Sequence, residues 1–429
     1  MPDGEEDALL EAIRLAPRRY RMPALPGDAD AAEAAGPDVA LAFAIEALRC
    51  GRGEPKLAKL FVRSLAALIA RALDSGTGDP AFQAWVLANQ ERVVTEHLEL
   101  AAQEGVDQRR VRAAVDAFAH PGKWRGRAMP DELVRLHASS QSGDWAAVRA
   151  AAQALAATGW SSRGQALLAE PALSRLERAA SIRNDPAVRR HLALEAARGP
   201  LAQSEEATGR GRAAAHAGAA VEEQTVRAFR QLPGNHRVAR GLRPRSGLPH
   251  ATHGAKDEWD VALLRAVGGS DAFDLVLLAE AKASPSSAVS DWPRLRRGLE
   301  RLAQVPPGVD AVFSADAGEL RVRGESLHAF SPPRRGLPER VIYCCTAEEP
   351  RVPLLSAPAR AMLLQQAASL AYAGALGRGE SADPGVLAPL WDSLARSPRL
   401  RAVLEQYETA RSAREVMLHP DDLRIRPPA

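Results

Sequence analysis

Asp260, Glu280 and Lys282 are the residues of this chain whose types and spacing most directly suggest chemistry. Asp260 opens one apolar run (Trp259-Asp260-Val261-Ala262-Leu263-Leu264), and Glu280-Ala281-Lys282 closes the next. Two carboxylates and an ammonium are the minimum set for metal-assisted phosphodiester cleavage. The acids hold a divalent cation, which neutralises phosphate charge and provides hydroxide at neutral pH. Hard oxygen ligands favour Mg²⁺ or Mn²⁺ over zinc. Lysine is also scarce in this chain: only Lys56, Lys59, Lys123, Lys256 and Lys282 occur, and the remaining Lys+Arg charge is arginine. An ammonium is compact and its pKa shifts readily on burial, whereas a guanidinium stays charged. Lys282, at the end of an apolar strand, therefore needs a role.

The elements that would position these groups can be read around them. Residues 259–266 and 275–282 read as two strands joined at Gly268-Gly269-Ser270-Asp271, a strong turn signal. Glu280 and Lys282 share a face by the two-residue period. Asp260 joins them if it lies opposite position 280 or 282. An odd register would set it against Ala279 or Ala281 and leave Glu280 on the other face. The cluster thus requires a particular register, or a bulge near the turn. A helix at 219–231 precedes the strands. In it Glu222 shares the apolar face with Val226 and Phe229, while Glu223 falls with Arg227 and Arg230. A carboxylate on an apolar stripe needs a partner, so Glu222 is a fourth member of the constellation and a third candidate metal ligand.

Beyond this segment the pattern falls into four parts. Residues 1–200 carry apolar positions at three- and four-residue spacing and no strand-like alternation, an all-helical domain. Asp79-Pro80 and Asp185-Pro186 read as helix starts. Residues 201–218, rich in Gly, Ala, Ser and Glu, read as a linker or helix lead-in. Residues 219–350 then run α-β-β-β-α-β, with strands at 237–242, 259–266 and 275–282, a second helix at 291–304 and a strand at 311–314, and a further strand follows at 341–346. Residues 351–429 form a C-terminal helical extension ending in a loose tail. The fold class is mixed, α+β or α/β: a helical N-terminal region, a central mixed sheet flanked by helices, and a helical C-terminal segment.

The order helix-Glu222, strand, strand-Asp260, strand-Glu280-x-Lys282, helix resembles the PD-(D/E)xK, or restriction-endonuclease-like, nuclease superfamily over about 219–346, roughly a third of the chain. Trp259 stands where the family's nominal motif has proline. The resemblance implies that Asp260 and Glu280 hold Mg²⁺ (or Mn²⁺), that Lys282 positions or activates the attacking water, and that Glu222 matches the helical glutamate of some branches. It implies a metal-dependent endonuclease acting on DNA, with RNA as the second substrate class and a homodimer where both strands are cut. The helical domain at 1–200 would recruit a protein partner or shape the substrate groove. The competing reading is a helical scaffold whose inactive nuclease-like core binds nucleic acid or protein. Restriction, phage defence, repair and recombination all use such nucleases, and fold analogy does not choose among them.

Charge supports a nucleic-acid partner only locally, because a net charge of +3 over 429 residues is small. Residues 227–256 contain no acid, and Arg237, Arg240, Arg243, Arg245 and Lys256 fall there, with Arg294 and Arg297 on the following helix. All flank the proposed metal site, where a phosphate backbone would pass. His250 and His253 have metal-compatible spacing but no second ligand pair. Cys50, Cys344 and Cys345 offer neither a disulfide framework nor a zinc spacing, which fits a reducing cytoplasm. The acidic N-terminus lacks a secretory signal, and no run is long enough to span a membrane.

Overall fold

In the computed structural model the described residues are 3–197, 205–232, 234–249, 254–349 and 351–423. Among them are nineteen α-helices and one mixed seven-stranded sheet. The strands are β1 (His236–Ser246), β2 (Trp259–Ala266), β3 (Ala272–Ala281), β4 (Asp310–Ala315), β5 (Gly318–Arg323), β6 (Val341–Cys344) and β7 (Met417–Leu418). β1, β2 and β3 form an antiparallel meander, and β6 runs parallel to β3. The parallel step requires a crossover, in which the Pro285–Leu302 helix takes part. Between that helix and β6, the β4–β5 hairpin pairs back onto β1 and touches the start of β3. β1 serves two neighbours because it bends: Gly241, at φ +61°, lies just before it exchanges β2 for β4.

Each sheet face has its own core. On one side Leu242, Trp259, Leu264 and Leu278 pack with Trp292, Leu295 and Leu299 of the crossover helix. On the other, Val261, Leu263, Val276 and Ala279 pack with Val221, Val226 and Phe229 of the Glu205–Arg230 helix, called here the leading helix. Strands buried on both faces read as nearly continuous apolar runs, which is the pattern of β2 and β3.

The chain divides into two compact units that do not follow the sequential division expected from sequence. The sheet unit comprises 1–65, 200–363 and 388–429; the helical unit comprises 66–199 and 364–387. Hence the expected helical domain at 1–200 is not one body. Its first helix joins the sheet, where Leu9, Ile13 and Ala16 enter the core beneath the leading helix and the Tyr20 hydroxyl donates to the Cys345 carbonyl at 2.5 Å. The expected C-terminal extension is divided as well. Residues 364–387 belong to the helical unit, and β7 adds a strand beside β6. Residues 205–218, expected as a linker or helix lead-in, are helical as the start of the leading helix. His250, His253 and the tail from Arg424 onward lie outside the described residues.

In the helical unit, Val111, Val115, Leu133, Leu136, Trp145, Val148, Leu155 and Leu173 form the core. Its helices start as the sequence indicates. Asp79 accepts from the Ala81 amide at 2.9 Å, Asp144 from Ala147 at 3.0 Å and Asp185 from Ala187 at 2.8 Å. No helix among the described residues is long and apolar enough to cross a membrane.

Candidate active site

The hairpin that carries Asp260 and Glu280 is set by a bulge. Val261 lies opposite Ala279, Ala262 opposite Leu278 and Leu263 opposite Leu277, but nearer the turn Leu264 lies opposite Leu275. Val276 is the extra residue. Val276 and Leu277 accordingly both enter the core beneath the leading helix, whereas Leu275 and Leu278 enter the opposite core. Continued one step past Val261, the register places Asp260 across from Glu280. Carried outward without the slip, the turn-side register would have placed Asp260 against Ala279 and separated the two acids by the thickness of the sheet.

Asp260, Glu280 and Lys282 therefore share the face covered by the crossover helix. The Ala281 amide donates to Asp260 Oδ2 at 2.9 Å, so the aspartate side chain extends the ladder where β2 begins. Lys282 Nζ lies 3.0 Å from Glu280 Oε2 and 3.9 Å from Asp260 Oδ2, so one ammonium reaches both carboxylates. Its backbone is held by its amide, which donates to the Cys344 carbonyl at 2.8 Å on β6. Tyr343 lies beneath, its ring centroid 5.7 Å from the ammonium.

Two further residues complete the cluster. Asp291, on the crossover helix, places Oδ2 3.0 Å from Lys282 Nζ. Lys256 donates to Glu280 Oε2 in a very short contact and lies 3.5 Å from Asp291 Oδ2. Neither was assigned here from sequence, although each left a signal. Asp291 stands three residues after Ala288 and four before Leu295 on the buried stripe, the same argument that singled out Glu222. Lys256 is one of the chain's few lysines.

Lys256, expected to contact a phosphate backbone, is instead buried. Its placement depends on the crossover helix. That helix starts at Pro285 rather than Asp291, because Ser284 caps it in a reciprocal arrangement with Ser287 and Pro285 takes the first turn. Pro293 is accommodated inside the helix. The Lys256 amide donates to the Arg294 carbonyl at 3.1 Å, and Arg297 donates to the Gly254 carbonyl at 2.8 Å. Gly298 permits this approach: a Cβ there would stand 2.9 Å from the Lys256 carbonyl oxygen. Gly298→Ala is accordingly expected to cost about 1–3 kcal/mol. Urea unfolding beside Glu300→Ala, an exposed change on the same helix, checks this; equal midpoints for the two variants would contradict it.

Glu222 does not join the cluster. It faces the sheet, as its helical phase indicates, but its carboxylate accepts from Arg240 Nε at 2.9 Å. Arg240 is paired with Val261 and so lies on the leading-helix side, across the sheet from Asp260. A strand arginine, rather than a cation beside Glu280, provides the partner that the stripe requires. Glu222→Gln is expected to leave any activity of the Asp260 centre unchanged, as measured by cleavage rate at saturating metal. Glu223, as expected, is exposed with Arg227.

The remaining basic candidates are largely engaged within the protein. Arg237 donates to the Ala317 carbonyl at 3.0 Å and lies over Phe273, and Arg243 pairs with Glu258 at 2.7 Å. Arg245 and Arg294 are exposed. With Arg297 bound to a backbone carbonyl, the positive charge beside the site is carried mainly by guanidiniums that also support loops.

Burial sets the electrostatics. Glu280 has no exposed surface, and this pushes its carboxyl up to about 7; Lys256 and Lys282 act against that rise, while Asp260 and Asp291 add to it. Burial disfavours the Lys282 ammonium, but Glu280, Asp260 and Asp291 outweigh it and raise its pKa above the ordinary lysine value. Lys282 is thus held as a charged donor. Burial likewise raises Tyr343 well above the usual phenol range, and its hydroxyl has no hydrogen-bond partner among the described residues.

The donor set suits a hard divalent cation. Among the described residues Glu280 Oε1 is buried without a hydrogen-bond partner, an oxygen that a metal would satisfy. The Asp260 side chain is the most exposed of the cluster at 25%, which leaves room for solvent ligands. Among the described residues there is no group of three or more His, Cys, Asp or Glu arranged for a metal. A cation held by the Asp260 and Glu280 carboxylates would keep water at its other positions, as Mg²⁺ usually does because it dehydrates reluctantly.

Comparison with known proteins gives no match: no family model, no curated protein and no solved structure is similar to this chain.

Proposed function

We propose that this protein is a Mg²⁺- or Mn²⁺-dependent endonuclease that hydrolyses DNA phosphodiester bonds at the Asp260–Glu280–Lys282 centre of a restriction-endonuclease-like core. The observation that carries this reading is the bulged register, which brings two carboxylates and a lysine to one point on one sheet face. The order of leading helix, antiparallel meander, crossover helix and parallel strand supports it.

Asp260 and Glu280 would hold the cation, which supplies charge neutralisation at the phosphate and a hydroxide nucleophile near neutral pH. Lys282 acts as a donor rather than as a base, because the surrounding carboxylates keep its proton on. Its ammonium can orient a water through hydrogen bonds or offset charge building on a phosphate oxygen. Asp291 holds that ammonium from the helix side, leaving its direction fixed by protein contacts on both flanks.

A second reading, a helical scaffold with an inactive core, is favoured by one observation: Lys256 already satisfies Glu280 Oε2 from within the protein. The two readings separate in one assay. Purified protein is incubated with plasmid, linear duplex, single-stranded DNA and RNA, in Mg²⁺ or Mn²⁺ and in EDTA. Metal-dependent DNA cleavage is expected. Cleavage of RNA alone would reassign the substrate, and retention of DNA on a gel without cleavage in either metal would favour the scaffold.

A further inference from the structure

We infer that Lys256 is a resident cation of the site: in the metal-free protein its ammonium takes the place at Glu280 that a divalent ion would occupy, and the two compete. The inference rests on the metal-dependent reading of the Asp260–Glu280 pair and adds to it a means by which the apo site stays charge-balanced.

Several observations place Lys256 in this role. Its side chain is only 10% exposed and reaches a carboxylate with no exposure at all. A buried acid left without a counter-charge is strongly unfavourable, and Lys282 alone does not meet the demand, because it is shared among Glu280, Asp291 and Asp260. The Lys256 backbone is fixed against the crossover helix through the Arg294 carbonyl and the close approach at Gly298, so the ammonium is directed inward by construction. It also has a second place to go. Asp291 Oδ2 lies 3.5 Å from the same Nζ, so the ammonium can transfer its contact to the helix without leaving the site.

A divalent ion would then bind by exchange: it takes Glu280, and Lys256 shifts toward Asp291. Positive charge already at the acid lowers the apparent affinity for the incoming ion, since the ion must displace a bound competitor as well as shed water. Removing the ammonium should tighten metal binding while weakening the metal-free fold.

The test uses the full chain, with Mg²⁺ and Mn²⁺ themselves as probes. Affinity is measured by titration calorimetry, and stability by thermal unfolding with and without each ion, for wild type, Lys256→Met and the double variant Lys256→Met/Glu280→Gln. Lys256→Met is expected to melt lower than wild type in EDTA and to bind Mn²⁺ about tenfold or more tightly, the change that loss of a modest ion-pair competitor would give. It should also gain more in melting temperature from the ion than wild type does. The double variant, lacking both charges, should recover metal-free stability and lose metal binding. That recovery keeps the test decisive if Lys256→Met alone folds poorly. Weaker metal binding in Lys256→Met would overturn the proposal, because Lys256 would then support the ion rather than compete with it. Equal binding by wild type and Lys256→Met would overturn the competition alone and leave the nuclease reading standing. Absence of binding in both chains would overturn the competition and the metal-dependent reading together.

Discussion

Lys282→Met should lower Mg²⁺-dependent DNA cleavage by roughly a thousandfold, the scale on which removal of one preorganised donor acts at a transition state. The fold should survive. Glu280 keeps Lys256 as a partner, and Asp291 keeps the same ammonium 3.5 Å away. What is lost is the one charge that bridges Asp260 and Glu280, at 3.9 Å and 3.0 Å. Lys282→Arg should not restore activity. The position is 12% exposed and beset by three carboxylates, and a planar guanidinium cannot present a single point charge to all of them. Single-turnover cleavage beside circular dichroism checks both substitutions; a methionine variant within tenfold of wild type would remove Lys282 from the chemistry.

A large effect on stability is expected at Glu280. Its carboxyl is raised by burial from the ordinary 4.5 to about 7. An acid raised on folding stabilises the native state while it is protonated. That contribution is complete below the unfolded value and is lost as pH rises through the folded one. Between pH 4.5 and about 7, the metal-free protein should therefore lose about 3 kcal/mol through this group. Glu280→Gln, which cannot ionise, should match wild type near pH 4.5 and become progressively the more stable of the two up to pH 8, in EDTA. Urea unfolding at closely spaced pH values measures the gap. A gap that narrows or reverses as pH rises would mean that the two lysines, rather than burial, govern Glu280, and that it is ionised throughout. The same titration bears on metal binding, since a divalent ion needs the carboxylate and must expel its proton.

The residues of the hairpin were legible because their signal is local. Period-two alternation places Glu280 with Lys282, and the Gly268-Gly269 turn fixes where the strands meet. The register was only partly legible. Val276 lies in an unbroken apolar run, Leu275-Val276-Leu277-Leu278, whose two-sided burial hides which residue is the extra one. β5 was readable but passed over: Leu320 and Val322 alternate with Glu319, Arg321 and Arg323. β7 was not readable, since two residues become a strand only by pairing with β6, more than seventy positions earlier. The same holds for the first helix, whose apolar face shows that it buries something but not that it is the sheet. Glu222 shows the limit of a stripe argument: helical phase finds a carboxylate that needs a partner, yet Arg240 is brought to it by a strand pairing that the helix does not encode. Asp291 and Lys256 show the converse, since both carried a usable signal, one by phase and one by rarity, and both belong to the cluster.

The central claim is that Asp260 and Glu280, set on one face by the bulge at Val276, form a metal-using centre for DNA hydrolysis. The most direct test is plasmid cleavage by wild type and Asp260→Asn across one Mg²⁺ titration, with melting temperatures recorded on the same samples. Asn preserves the shape and can still accept the Ala281 amide, so the fold should be retained. The account predicts saturable, EDTA-sensitive cleavage by wild type and none by Asp260→Asn at any Mg²⁺ concentration, with similar melting temperatures in EDTA. Cleavage by a well-folded Asp260→Asn at the wild-type rate would contradict it.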